Sequence, residues 1–136
     1  MTAQQQRFDL ANTYVNLAPG GGARTLEGGD AFWAALGNGT PLSDDVAHGD
    51  SRLIALFRVS EDWTSWEMHP AGDELVYVVS GAIELVLEES GGPRTVALPE
   101  KTGFLVPRGV WHTANSRAPS DILLVTPGSG TQTKPR

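Results

Sequence analysis

The chain has no cysteine. Disulfides, thiolate zinc sites and cysteine nucleophiles are therefore excluded. Basic residues are sparse: ten Lys and Arg stand against sixteen Asp and Glu, giving a formal net charge of −6. Arg52, Arg58, Arg94, Lys101, Arg108 and Arg117 are scattered and begin no basic run. A nucleic-acid partner is not expected, because duplex binding needs clustered cations to displace counterions. Long apolar runs are missing too. No stretch approaches the length of a membrane span, and Met1 to Arg7 lead into no apolar segment of the kind a signal peptide needs. A cytoplasmic protein with no membrane partner is the expectation. No G-x-S-x-G elbow is present, and Gly20-Gly21-Gly22 is followed by no Lys-Ser or Lys-Thr, so neither a hydrolase nucleophile nor a phosphate loop is read here. Histidine is scarce, with only three in 136 residues, so where they stand is informative.

What the chain does have is punctuation. Sixteen Gly and nine Pro separate short apolar runs, the pattern of an all-β protein with many turns. The length fits one domain with a real core. Residues 1–50 read as an irregular N-terminal arm, with a short strand near Asn12 to Leu17. One short helix, Ala31 to Leu36, is capped by Asp30 and closed by Gly37. Phe32 and Trp33 are expected to dock this arm on the barrel or on a second subunit. From residue 51 to 127 the chain becomes regular. Strands are predicted at Arg52 to Val59, Thr64 to His69, Glu74 to Val79 and Ala82 to Glu88. Four more follow at Arg94 to Leu98, Phe104 to Val106, Val110 to Ala114 and Asp121 to Thr126. The third and fourth are expected to pair across Ser80-Gly81. Such a series suggests a sandwich or small barrel. Residues 128–136, rich in Gly, Ser, Thr and Pro, read as a flexible tail.

The chemistry concentrates in Trp66-Glu67-Met68-His69-Pro70-Ala71-Gly72-Asp73-Glu74 and in Pro107-Arg108-Gly109-Val110-Trp111-His112. Side chains alternate along a strand, so Glu67 and His69 share a face. The turn after His69 brings Glu74 back beside it. If the strand carrying His112 lines the same barrel, Glu67, His69, Glu74 and His112 converge. Two carboxylates and two imidazoles suit a divalent transition metal: Fe, Mn, Zn, Ni or Co.

These segments resemble the two motifs of the cupin superfamily. The first, commonly G-x5-H-x-H-x3–4-E-x6-G, reads here Glu67-x-His69-x4-Glu74-x6-Gly81. The second, commonly G-x5-P-x-G-x2-H-x3-N, reads Lys101-x5-Pro107-x-Gly109-x2-His112, with Asn115 one position early. The resemblance covers roughly residues 50 to 127. It implies a single-domain cupin barrel, a double-stranded β-helix of jelly-roll type, and a homodimer. The first family histidine is Glu67 here; phosphomannose isomerases, also cupins, carry Gln at that place and still bind zinc. Three His and one Glu with a divalent ion leave a net +1 site, whereas two His and two Glu leave a neutral one. A neutral site is a weaker Lewis acid and attracts anions less. By this resemblance the protein is a metal-dependent oxygenase or isomerase acting on a small polar metabolite, with Glu67 and Glu74 as catalytic carboxylates that hold the ion or move a proton. The alternative is a non-catalytic module that binds or senses a small ligand, since the fold serves both roles.

Each residue also has a structural reading. Glu67 can be an ion-pair partner of Arg58 or Arg108. His69 and Glu74 can be core polar groups satisfied by hydrogen bonds. Arg108 and Arg58 are candidate substrate-binding residues, the guanidinium fork of Arg108 suiting a carboxylate; a rim salt bridge is the competing role. Tyr77 shares its face with Leu75 and Val79, opposite Glu74, so packing is expected. Trp63, Trp66 and Trp111 read as core or interface aromatics. His48 and Asp44-Asp45 read as exposed loop groups.

Overall fold

The computed structural model describes residues 6–37 and 50–136, so His48 and Asp44-Asp45 lie outside the described residues. The strands are β1 (Thr13–Leu17), β2 (Ala23–Glu27), β3 (Arg52–Val59), β4 (Ser65–Met68), β5 (Glu74–Glu89), β6 (Gly92–Pro99), β7 (Gly103–Val106), β8 (His112–Thr126) and β9 (Gln132–Pro135). The helix α1 spans Asp30–Gly37. Every strand pairing is antiparallel, and the sheet runs β2-β1-β3-β8-β4-β9, with β5 joined to β6, β7 and β8.

Two long strands curl this sheet. The first half of β5 pairs with the second half of β8, from Leu75↔Val125 to Val78↔Ile122; the second half of β5 pairs with the first half of β8, from Ala82↔Ala118 to Leu87↔His112. The first half of β5 also pairs with β7 and its second half with β6, so one strand serves two parts of the barrel. The result is a curled, wholly antiparallel sheet, in line with the all-β expectation.

Two expected breaks are absent. Ser80-Gly81 is a bulge inside β5, and Val110 to Ala114 and Asp121 to Thr126 are not separate strands: β8 runs from His112 through to Thr126. The bulge has a consequence. Before it, the even positions Glu74, Val76 and Val78 are buried; after it, the odd positions Ile83, Leu85 and Leu87 are. One inserted residue reverses which side chains face inward. Both halves thus feed one core, completed by Val59, Leu98, Val106, Ala114, Ile122 and Leu124.

The arm is more ordered than its composition suggests. Its strands extend the sheet at β3, and buried Tyr14 packs with Leu53 and Ala55. Trp33 donates its indole N–H to the Tyr14 hydroxyl at 2.8 Å. The aromatic pair of α1 therefore docks on its own barrel, with Phe57 5.1 Å from Trp33 between ring centres.

The C-terminal residues correct the flexible-tail expectation. They turn back after β8 and form β9, which pairs with four residues of β4, Ser65↔Pro135 to Met68↔Gln132. Arg136 anchors the end by donating to the carbonyls of Trp63 (3.1 Å) and Ala114 (3.3 Å) and to Asn115 Oδ1 (2.6 Å). The exposed second motif turn carries Lys101 at φ 61, the left-handed conformation that glycine adopts at no cost, where the cupin pattern has Gly.

Candidate metal centre

Three short stretches of strand carry the four expected residues to one point. Glu67 on β4 stands opposite His112 on β8 in register. His69 follows directly after β4, and Glu74 opens β5 on its inward face. The two motifs are tied at the backbone, where Gly109 N–H donates to the His69 carbonyl at 3.0 Å. One donor atom from each of Glu67, His69, Glu74 and His112 lies within 4.8 Å of the others.

The cluster is deeply buried. His112 is 0% exposed, Glu74 1%, His69 4% and Glu67 16%. His69 Nε2 lies 3.1 Å from Glu74 Oε2 and 3.7 Å from Glu67 Oε2, and His112 Nε2 lies 3.0 Å from Glu74 Oε1. Two ligands about 2.1 Å from one ion stand about 3 to 4.2 Å apart; these three separations fall in that range, and the four donor atoms as a set spread to 4.8 Å, slightly wider than one ion would draw them.

The outer partners fix which nitrogen faces the cluster. His112 Nδ1 sits 3.0 Å from the Val110 carbonyl, which can only accept, so this nitrogen carries the proton. His69 Nδ1 sits 2.9 Å from Thr131 Oγ1, whose own hydrogen is donated to the Gly128 carbonyl at 3.0 Å. It too is therefore the donor. Both imidazoles then point an Nε2 lone pair at the Glu74 carboxylate. His69 Nε2, His112 Nε2 and Glu74 Oε1 are buried and have no hydrogen-bond partner. Lone pairs aimed at lone pairs in a dry site need a cation between them. A proton or a metal ion meets that need. The donor set fits a divalent transition ion, and the outer hydrogen bonds are those that orient metal-ligating histidines.

Titration in the metal-free cluster follows from the same contacts. Burial alone would raise the Glu74 carboxyl, but the imidazoles of His112 and His69 held against it prevail and bring it from 4.5 to about 2. Glu67 is raised, by burial first and then by the charge of Glu74. Burial opposes a proton on His112, yet the Glu74 carboxylate beside it prevails and lifts the imidazole above its ordinary 6.5. Two opposite pH dependences are expected. Protonation of His112 stabilises the metal-free fold; that contribution is complete below 6.5 and is lost as pH rises through the raised value. Metal binding must displace the same proton, so affinity falls about tenfold per pH unit below the raised value. Melting curves across neutral pH, with and without Zn2+, check both signs. Ion-induced stabilisation that does not change with pH would refute them.

Two cavities meet at the cluster. A recess of about 30 Å³ is bordered by Glu67, His69, Glu74, Thr126 and Thr131, enough for an ion or a single water. A wider chamber of about 560 Å³ lies beside it, and the two share Trp33, Glu67 and Leu124. Trp33, Phe57, Trp63 and Leu124 make the chamber's apolar side, and Asp62, Thr64, Ser65 and Thr133 make its polar side.

The arginines are not part of this arrangement. Arg58 is 63% exposed and pairs with Asp121 at 3.2 Å. Its neighbours Ala55 and Val59 point inward, and strand alternation turns Arg58 out. Arg108 is exposed, gives its backbone N–H to Asp73 Oδ1 at 2.8 Å, and borders a separate surface depression with Arg52 and Leu105. Neither arginine borders either cavity at the cluster, and neither pairs with Glu67. Tyr77 stands on the outward face of β5, as expected. Sequence reasoning missed Thr126, whose hydroxyl donates to Glu74 Oε2 at 2.6 Å, and Thr131. Thr126 was within reach, because it shares the inward face of β8 with Ile122 and Leu124. Thr131 had no such signal.

A curled antiparallel β-sheet around a buried group of two Glu and two His that could hold a metal ion is the class that this fold and site define. No family model matches the chain, and no curated protein does. Among solved structures it is similar to a cupin-2 domain containing protein from Shewanella frigidimarina, at 18% identity over 71% of this chain and 74% of that one, with a TM-score of 0.47. It is similar to hydroquinone 1,2-dioxygenase from Sphingomonas sp. TTNP3, at 17% identity over 55% and 58%, TM-score 0.48. It is also similar to hydroxypropylphosphonic acid epoxidase from S. wedmorenis, at 19% identity over 60% and 46%, TM-score 0.47. The chain thus spans about half the length of these two enzymes. Among the described residues, no helix is long and apolar enough to cross a membrane.

Proposed function

We propose that this protein is a metal-dependent enzyme of oxygenase or isomerase type, holding one divalent transition ion on Glu67, His69, Glu74 and His112. The observation that carries the proposal is the set of buried, unpartnered lone pairs on His69 Nε2, His112 Nε2 and Glu74 Oε1. When bound, the ion supplies a Lewis acid that polarises a substrate oxygen.

The residues divide the remaining work. Glu74, held low at about 2, stays ionised and serves as a ligand. Glu67 has the raised carboxyl, is the most exposed of the four and borders the chamber. With Oε2 turned to His69 and the ion, its other carboxylate oxygen is the one left to exchange a proton with a substrate. Trp33, Phe57 and Trp63 give the chamber an apolar wall for a planar or aliphatic body, while the neutral centre disfavours strongly anionic substrates. The favoured substrate is a small, uncharged or weakly charged oxygen-bearing molecule. The same neutrality weakens the Lewis acid, and this supports the second reading, a binding module without turnover.

Elemental analysis of untagged protein, purified without added metal, is the primary test. About one Fe, Mn, Zn, Ni or Co per chain is expected, and a folded chain that takes up no transition ion would end the proposal. Glu67→Gln is expected to weaken affinity, by less than the loss of Glu74, because Glu67 approaches one imidazole and Glu74 approaches both. Unchanged affinity in that variant would remove Glu67 from the ligand set. Oxygen uptake on diketones, hydroxy acids and phenolics then separates oxygenase from isomerase chemistry, and loaded protein that binds without turning over supports the module.

A further inference from the structure

The C-terminal nine residues belong to the centre although they supply no ligand. Gly128 and Thr131 border the recess, and Thr133, Lys134 and Pro135 border the chamber. Apart from the Glu67↔His112 pair, the ladder of β4 is made with β9. Glu67 therefore rides on a strand that the C-terminus holds in place. Lys134 reinforces that hold: its ammonium reaches Glu88 Oε2 at 2.8 Å and lies 4.4 Å from the centre of the Trp111 ring.

Within this segment Thr131 makes a directed contact. Its hydroxyl donates to the Gly128 carbonyl and so offers only a lone pair to His69 Nδ1. Gly130 lets the chain turn there: it has φ +72, and a Cβ at this position would stand 3.1 Å from Pro70 Cγ. The turn is thereby pressed against the residue after His69. We propose that Thr131 is a positioning residue for the metal centre: by accepting from His69 Nδ1–H, it fixes the tautomer and ring direction that aim His69 Nε2 at the ion. This rests on the metal-centre reading above. In metal sites generally, an outer partner of this kind is worth about 10–100-fold in affinity.

The test uses the full chain with Zn2+ and Mn2+ as probes, titrated against a chromophoric chelator. Thr131→Val keeps the shape and removes the acceptor; affinity is expected to fall about 10–100-fold. Thr131→Ser restores the acceptor and is expected to bind as the wild type does. In parallel, long-range proton–nitrogen NMR of the metal-free chain, above the ordinary imidazole range, reads the His69 tautomer. A proton held on Nδ1 is expected in the wild type and Thr131→Ser, and an altered tautomer balance in Thr131→Val. Wild-type affinity in Thr131→Val, or an equal loss in Thr131→Ser, overturns the proposal. If the wild type binds neither ion, the metal reading falls, and the NMR arm alone decides on Thr131: the same Nδ1–H signal in Thr131→Val refutes the positioning role. Should Thr131→Val fail to fold, a wild-type His69 protonated on Nε2 refutes it equally.

Discussion

Glu74→Gln is expected to give a folded chain that no longer retains a divalent ion. Glu74 is the only one of the four that touches both imidazoles, with His112 Nε2 at 3.0 Å from one oxygen and His69 Nε2 at 3.1 Å from the other. An amide has almost the same shape. Its oxygen can keep the bond from Thr126, and its N–H groups can point at the Nε2 of a neutral His112. The metal-free fold therefore keeps a hydrogen bond to His112 where it loses a charge. The centre loses an anionic ligand, and a hydrogen now occupies the place of a lone pair. Loss of an outer partner alone costs about 10–100-fold in affinity, so loss of this ligand should exceed about a hundredfold. Elemental analysis should fall to background while the far-UV circular dichroism keeps its β signature. A full complement of metal in this variant would place the centre away from Glu74.

The same substitution has an acid signature. The Glu74 carboxyl is depressed from 4.5 to about 2 in the folded chain. The unfolded chain takes up that proton first, so the stabilisation is complete above 4.5 and disappears as pH falls through about 2. A shift of this size corresponds to something on the order of 3 kcal/mol. Glu67 is raised and contributes with the opposite sign, so the quantity to measure is the difference between wild type and variant. Urea unfolding of the metal-free proteins between those pH values should show a gap that narrows as pH falls. A constant gap would mean that Glu74 is not held ionised by its neighbours.

That Glu67, His69 and Glu74 lie together was legible because short-range rules bring them together, and the pairing of β4 with β8 adds His112. Strand alternation puts Glu67 and His69 on one face, and the tight turn returns Glu74 beside them. On β3, alternation with Leu53, Ala55 and Val59 turns Arg58 outward, where it pairs with Asp121. Other features depend on tertiary pairing. β9 has a composition without strand preference, and it forms because β4 needs a partner. Thr131 was hidden with it. Ser80-Gly81 carries the turn signal of a hairpin and the bulge signal of a bent strand in the same two residues; only the pairing of both halves of β5 with β8 decides between them.

That bulge is the basis of the largest stability effect expected, from Gly81→Ala. Gly81 has φ +92, and an added Cβ would lie 2.3 Å from Ser120 Oγ, 2.6 Å from the Pro119 carbonyl and 2.7 Å from Ser120 Cα. The space that glycine leaves empty is where the Ser120 hydroxyl works. It accepts from the Ala82 N–H at 2.9 Å and donates to the Ala118 carbonyl at 2.7 Å, satisfying backbone groups beside the ladder's register shift. The strained φ and the overlap together should cost about 3–5 kcal/mol, a large share of the roughly 5–15 kcal/mol that holds a domain folded. A melting temperature lower by about 10–20 °C is the corresponding signal. Removing the hydroxyl as well, in Gly81→Ala with Ser120→Ala, should not rescue it, because two of the three clashing atoms are backbone. Gly91→Ala is the matched control, since a Cβ there meets nothing within 4 Å. The effect should also reach the metal centre. The bulge is what lets Glu74 face inward while Ile83, Leu85 and Leu87 do the same. A chain that straightens at residue 81 must turn one of those sets outward. Folded Gly81→Ala protein is therefore expected to bind Zn2+ more weakly than wild type, although residue 81 is no part of the centre. Unchanged melting and unchanged affinity would show that β5 can bend without glycine, and the link from bulge to inward face to ligand would be broken at its first step.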